Sequence, residues 1–202
     1  MNIVMYHYVR PISGSSYPSL KGLELDGFKR QLDFFSREYT FVNEEEVIEL
    51  SKSNKPFPKK SIWLTFDDGY KDHVEYVLPE LKKRKLRGSF FPPARPLKEQ
   101  TILDVNSIHF IIEKVSNTKE LMTLLRNKLA ENGFDSLMVK KLWEQVDKTS
   151  RYDPEEVIFF KRCLQQELPK NIRKKVIESL FEEVLDKSII EFSRELYMSP
   201  QD

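Results

Sequence analysis

Two adjacent aspartates, Asp67 and Asp68, are the residues of this sequence best suited to chemistry. They stand in the string "LTFDDGY", where an apolar segment reaches a glycine, Gly69. Because like charges repel, two neighbouring carboxylates at the end of a buried strand need a cation, a substrate or a shared proton beside them. A divalent cation binds carboxylate oxygen and acidifies a bound water, whose proton the second carboxylate can take. The pair therefore indicates a hydrolytic centre, although Asp and Gly are also common turn residues.

The elements around the aspartates predict a parallel sheet. Strand-like segments lie at 2–9, 61–66 and 88–93, and helical apolar patterns lie at 26–39, 44–53 and 71–85. Asn43 is placed to cap the second of these helices. Strands that alternate with helices are typical of βαβ units, whose strands run parallel. Ligands of parallel sheets bind at the carboxyl ends of the strands, which is where the two aspartates would lie.

The character of the sequence changes near residue 103. Five of the six glycines and eight of the eleven prolines come before it, and helical apolar stripes dominate after it. Gly133 is expected to end one of these helices, and "DPEE" at 153–156 predicts the start of another, with Asp153 as its cap. We therefore expect an α/β part over 1–103 and an all-helical block over 104–202.

Composition excludes several classes of protein. The chain has 202 residues, one cysteine (Cys163) and a formal net charge of +1. It has no disulfide framework and no global attraction to nucleic acid, and the basic run at 82–87 is typical of a solvated helix end. No apolar stretch approaches the roughly 18 residues of a membrane span, and the first residues do not resemble a secretory leader. These features favour a cytoplasmic protein with no membrane span and no nucleic-acid partner.

The string "LTFDDGY" resembles the first motif of the polysaccharide deacetylase family, the NodB-like carbohydrate esterases that remove N-acetyl groups from sugars. Residues 4–10, "VMYHYVR", resemble the opening strand of many members, and residues 77–94 resemble the segment after the motif. The helical block resembles an insertion found in some bacterial members. The resemblance implies an α/β fold, a partial, distorted (β/α) barrel, with 1–103 as its amino-terminal part and 104–202 as a helical insertion or subdomain.

The resemblance also implies roles for individual residues. Carried over to this sequence, it makes Asp67 the general base and Asp68 a ligand of a divalent metal ion, zinc foremost. The reaction would be hydrolysis of a carbon–nitrogen, non-peptide bond in an N-acetylated saccharide or polysaccharide. His7, on the first strand, and Tyr70, after Gly69, are candidates for the substrate pocket, with a satisfied core histidine as the alternative for His7.

The sequence departs from the family at the metal site. The family adds two histidine ligands in a downstream paired motif, whereas the three histidines here, His7, His73 and His109, are not paired in that way. One carboxylate, Asp68, supplies too few ligands for a firm metal site. His73 is interpreted as a polar residue at a helix start and His109 as structural. We expect the chain to be the amino-terminal portion of a longer enzyme, with little or no activity by itself.

Two other functions remain open at this stage. A truncated, non-catalytic homologue could still bind a glycan or a protein partner. Glycosidase chemistry fits adjacent aspartates poorly, because it needs two carboxylates that flank one bond. Phosphoryl transfer would need a glycine-rich phosphate loop, and no such motif occurs in the sequence.

Overall fold

The structure, a computed structural model, describes residues 1–115 and 117–202. The chain divides into two units, which are described separately below. The first unit comprises Met1–Gln100 together with Ser193–Asp202, and the second comprises Thr101–Phe192. The assignment of these parts to a barrel and an insertion stays a prediction.

The first unit contains the predicted parallel sheet. Its strands are β1 (Asn2–Tyr6), β2 (Val9–Arg10), β3 (Leu23–Glu24), β4 (Thr40–Phe41), β5 (Ser61–Asp67) and β6 (Ser89–Phe91). Strand β5 is central and pairs in parallel with β1, β4 and β6, whereas β2 and β3 pair with each other. The α/β class with a parallel sheet is therefore confirmed. Closure of the sheet into a distorted barrel stays a prediction.

The first unit also contains helices that follow its strands along the chain. They are α1 (Leu25–Glu38), α2 (Glu44–Lys52), α3 (Leu78–Lys83) and α4 (Ala94–Glu99), with a π-helical turn (His73–Val77) before α3. Alternate residues of a strand point to the same face, and in β5 these are Ile62, Leu64 and Phe66. They share one buried apolar cluster with Phe28 and Leu32 of α1. Burial of these side chains fixes the end of β5, where the aspartates lie.

Two details of the helices bear on the predictions. Asn43 caps α2 in a capping box with Glu46, as the sequence indicated. The helix predicted over 71–85 is present over 71–83, with the π-helical turn His73–Val77 inside it. Pro79 stands near the start of α3, directly after this turn. The π-helical turn carries His73 into the interior of the unit.

The second unit is helical over its described residues. Its helices are α5 (Asp104–Lys114), α6 (Thr118–Glu131), α7 (Ser136–Gln145), α8 (Glu155–Arg162) and α9 (Lys170–Leu185), and α10 (Ile189–Leu196) runs on into the first unit. Gly133, with φ +86°, follows α6 as predicted. The prediction that Asp153 caps α8 is wrong, because Pro154 holds the N-cap position. The Asp153 carboxylate instead accepts a hydrogen bond from Lys161 at 2.7 Å.

Among the described residues, no helix is both long enough and apolar enough to cross a lipid bilayer.

Candidate active site

The acid pair lies at the carboxyl end of the central strand. Asp67 is the last residue of β5 and pairs with Phe91 of β6. Asp68 and Gly69 follow with φ values of +70° and +60°, so two left-handed residues in succession turn the chain. A Cβ atom on Gly69 would lie 2.6 Å from Cβ of Pro92, so this position accepts only glycine without a shift of its neighbours. The turn after the acids is thus fixed by close packing.

Asp68 has a hydrogen-bond donor of its own. The Tyr70 hydroxyl donates to Asp68 Oδ2 at an oxygen–oxygen distance of 2.5 Å, in the range of charge-assisted O–H···O⁻ bonds. Burial of Tyr70, together with the nearby Asp68 carboxylate and Tyr8, raises the pKa of Tyr70 far above its ordinary value. Tyr70 therefore stays protonated and acts as a donor. A neutral hydroxyl, rather than a cation, stands beside this carboxylate.

Asp67 differs from its neighbour. Its side chain is half-buried, and it has no hydrogen bond or ion pair to the part of the chain that the structure describes. A half-buried carboxylate with both oxygens available can accept a proton from a bound water. The two acids are therefore not equivalent: Asp68 is held by the protein and Asp67 is not.

Two tyrosine rings stack on the ring of Tyr70. Tyr8 stacks on it at a centroid distance of 4.3 Å and Tyr197 at 6.0 Å, and Tyr70 has 0% exposed surface. Next to Tyr197, the N–H of Met198 donates to the Gly69 carbonyl at 2.9 Å. Together with Pro92, the segments around Tyr8 and Tyr197 thus fix the turn that carries Asp68. Tyr70, which was predicted to line a substrate pocket, is fully enclosed in this arrangement.

His7 is exposed at the edge of the sheet where Asp67 ends β5. It follows Tyr6, which pairs with Phe66, so His7 and Asp67 each come one residue after a paired position. His7 also lines an open cleft of about 330 Å³. The other residues that line this cleft are Val4, Met5, Tyr6, Tyr8, Lys21, Gly22, Leu23 and Gln31. Its exposure and position suit the substrate-pocket role, which stays a prediction.

His73 was predicted to lie at a helix start, and it is the first residue of the π-helical turn. Its side chain is buried. Its Nε2 lies 2.9 Å from the carbonyl oxygen of His7, and its Nδ1 has no hydrogen-bond partner among the described residues. Since a carbonyl oxygen can only accept a hydrogen bond, Nε2 carries the ring proton and Nδ1 is unprotonated. Burial lowers the pKa of His73 to about 4, so the ring is neutral at neutral pH. The hydrogen bond from His73 to His7 connects the turn after β1 with the segment that follows the acid pair.

An ion pair also connects these segments, and it was not predicted from the sequence. Arg10 of β2 donates to Asp72 Oδ2 at 2.7 Å, and both groups are largely buried. Burial raises the pKa of Asp72, and the Arg10 guanidinium opposes that shift. The partners lie 62 positions apart, so no local pattern could pair them.

The described residues do not complete a metal centre. No group of three or more His, Cys, Asp or Glu side chains able to hold a metal ion occurs among them. Asp68 has one oxygen engaged by Tyr70, and His73 is enclosed by the aromatic rings of Phe66, Tyr70 and Phe90. The residues present therefore do not fit the zinc ion that the family resemblance implies. His109 lies on α5 of the second unit.

The region that contains the acid pair matches a known protein family. Residues 54–133 match the family model described as "Polysaccharide deacetylase". The matched range contains β5, both aspartates and Tyr70, so the resemblance to this family is confirmed there. The family acts on amide carbon–nitrogen bonds of N-acetylated saccharides. Among curated proteins, none matches the chain.

Several solved structures are similar to part of the chain. A de-N-acetylase from Aggregatibacter actinomycetemcomitans is 20% identical, with 50% of this chain and 42% of that chain covered and a TM-score of 0.43. The Streptococcus pyogenes deacetylase PplD, in complex with acetate, is 25% identical, with coverages of 56% and 51% and a TM-score of 0.44. IcaB from Ammonifex degensii is 28% identical, with coverages of 48% and 40% and a TM-score of 0.40. The chain thus spans 40% to 51% of these relatives' lengths.

Proposed function

We propose that this chain carries the acid pair of a hydrolase that removes N-acetyl groups from a saccharide or polysaccharide. One observation carries the proposal. Within the region that matches the family, two adjacent carboxylates occupy the carboxyl end of the central parallel strand in different environments. Neighbouring groups in different environments suit two separate roles in one reaction.

Asp67 is the proposed general base. It takes a proton from a water molecule while the water oxygen forms a bond to the carbonyl carbon of the acetamide group. The carbon–nitrogen bond then breaks, the proton passes to the leaving nitrogen, and acetate and a free amine result. The absence of any hydrogen bond or ion pair to Asp67 from the described residues leaves its carboxylate free for this task.

Asp68 is the proposed contact to the metal ion that the family resemblance implies. This contact would require two further histidine ligands, and the three histidines of the 202 residues do not form the paired motif. We therefore propose that these residues hold part of a site and that they hydrolyse little or no N-acetylated sugar alone. The described residues do not form a complete site for a metal ion.

The proposal is tested first at the level of the gene. The DNA beyond codon 202 is read in all three frames for a paired-histidine motif. If it is found, the longer product is assayed for acetate release from N-acetylglucosamine oligomers with added zinc. We expect release that Asp67→Asn abolishes and that Asp26→Asn, which alters an exposed carboxylate on α1, leaves unchanged.

Two results would count against the proposal. Equal acetate release by Asp67→Asn and the wild type would remove Asp67 from the mechanism. Zinc-dependent release by residues 1–202 alone, lost in Asp68→Ala, would show that the site is complete after all.

A non-catalytic role is the second candidate. The lack of a three-residue metal cluster among the described residues favours it. In this case the chain binds an N-acetylated glycan or a protein partner without hydrolysis. No paired-histidine codons beyond position 202, combined with calorimetric binding of N-acetylglucosamine oligomers, would support this candidate over the hydrolase.

A further inference from the structure

We propose that Tyr70 is a positioning residue for Asp68: its hydroxyl holds Oδ2 and leaves Oδ1 as the oxygen available to an incoming partner. The proposal rests on the proposed function, since the orientation of Asp68 matters for catalysis only if the acid pair is used. It replaces the predicted role of Tyr70 in a substrate pocket. The described structure leaves no surface of Tyr70 for a substrate to contact.

The backbone fixes where the Asp68 side chain starts. Asp68 is a non-glycine residue with φ +70°, a conformation that costs free energy and persists only where the surrounding structure enforces it. Here the next residue, Gly69, packs against Pro92, and its carbonyl accepts the N–H of Met198. Small polar residues such as Asp tolerate this conformation better than others. The Cα–Cβ bond of Asp68 is thus held in one direction.

The Tyr70 hydroxyl then fixes where the carboxylate points. The ring is fully buried and stacked with the rings of Tyr8 and Tyr197, which restrict its movement. Its hydroxyl reaches back two residues to Asp68 Oδ2 at 2.5 Å. A donor on a locked ring selects one rotamer of a short acidic side chain, in the way that outer partners orient the groups that contact a ligand.

The consequence is a difference between the four oxygens of the acid pair. Oδ2 of Asp68 is engaged, whereas Oδ1 of Asp68 and both oxygens of Asp67 have no hydrogen-bond partner in the described part of the chain. Any cation or donor that approaches Asp68 therefore meets Oδ1 without a hydrogen bond and Oδ2 with one already made, in a set orientation. Contact through Oδ1 is favoured over contact through Oδ2.

The test compares two tyrosine hydroxyls of the first unit. Tyr70→Phe removes the donor to Asp68 and keeps the stacked ring. Tyr6→Phe is the matched control, because Tyr6 is also buried and donates at 2.9 Å, but to the neutral Gln31 amide. Solution NMR of residues 1–202 measures the Hα–Hβ couplings of Asp68 and the hydroxyl proton of Tyr70.

The expected spectra are specific. In the wild type, Asp68 gives the couplings of a single staggered rotamer, either one large and one small or two small, and the Tyr70 hydroxyl proton is seen far downfield. In Tyr70→Phe that proton is lost and both couplings move to intermediate, averaged values, whereas Tyr6→Phe leaves both observations unchanged. A purely structural loss of a buried hydroxyl would affect the two variants alike. Unchanged Asp68 couplings in Tyr70→Phe, or averaged couplings in the wild type, would overturn the proposal.

A second variant covers the case in which Tyr70→Phe does not fold. Asp68→Asn keeps a residue that tolerates a positive φ and removes the negative charge of the acceptor. The Tyr70 hydroxyl proton should then move upfield, and an unmoved resonance would also overturn the proposal. Because both readouts are independent of acetate release, failure here leaves the proposed hydrolase function to be judged by its own assay.

Discussion

The buried His73 should make the stability of the first unit sensitive to mild acid. His73 is 1% exposed and packs among the rings of Phe66, Tyr70 and Phe90. Its Nε2–H is used by the His7 carbonyl, and burial lowers its pKa from the ordinary 6.5 to about 4. A proton on Nδ1 would place a charge where no described group accepts a hydrogen bond from it.

Neighbouring charges also act on the pKa of His73, but they do not reverse the lowering caused by burial. Asp68 favours the protonated ring, whereas His7 and Arg10 disfavour it, and burial is the largest cause. Because the folded pKa lies below the unfolded one, the stabilising contribution is complete above about pH 6.5. It is lost as the pH falls toward about 4, since the unfolded chain takes up the proton first. At about pH 5 the loss amounts to about 2 kcal/mol of unfolding free energy.

The measurement is urea unfolding at about pH 7.5 and about pH 5, followed by tryptophan fluorescence. A Trp143→Phe background leaves Trp63 of β5 as the reporter of the first unit, because the chain has two tryptophans. Between the two pH values the parent protein should lose about 2 kcal/mol more than His73→Gln. His7→Gln, the control at an exposed histidine, should behave like the parent. Equal pH dependence in the parent and His73→Gln would refute the argument that burial depresses this pKa.

Three further outcomes follow from the local structure. Gly69→Ala should lower the free energy of unfolding by more than about 1 kcal/mol, because alanine resists the positive φ and its Cβ would meet Pro92. Gly14→Ala, whose Cβ would meet no atom within 4 Å, should not lower it in the same urea titration. Asn43→Ala should cost about 1 kcal/mol through loss of the α2 cap, and a thermal midpoint equal to the parent's would contradict this. Equilibrium dialysis of residues 1–202 against zinc should give equal metal contents for the parent and Asp68→Ala, and a lower content in the variant would contradict an incomplete site.

Local patterns predicted most of the elements correctly. The capping residue Asn43 and the positive φ at Gly133 follow from side-chain and backbone preferences that act over a few residues. The parallel pairing of β5 was predictable because alternating strands and helices leave few other arrangements. Asp153 shows the limit of such patterns. Its carboxylate accepts a hydrogen bond from Lys161, eight residues away, and the N-cap position is held by Pro154.

The supporting contacts of the site could not be predicted in the same way. The Arg10–Asp72 pair joins positions 62 apart, and the His73–His7 contact joins positions 66 apart. The sequence identified Asp67 and Asp68 as a pair that needs a partner, but not the Tyr70 hydroxyl as that partner. The ring of Tyr70 is fixed by Tyr8 and Tyr197, and only the folded chain brings these rings together.

The different surroundings of the two aspartates imply that their roles cannot be exchanged. Asp67 belongs to the strand, so its backbone is held by sheet hydrogen bonds while its side chain keeps both oxygens free. Asp68 belongs to a left-handed turn, and its carboxylate gives one oxygen to Tyr70. A base must be free to accept a proton, whereas a group that orients a ligand must be held still. The repulsion between adjacent acids is thus eased by a protein donor on one of them, and the other stays available for chemistry.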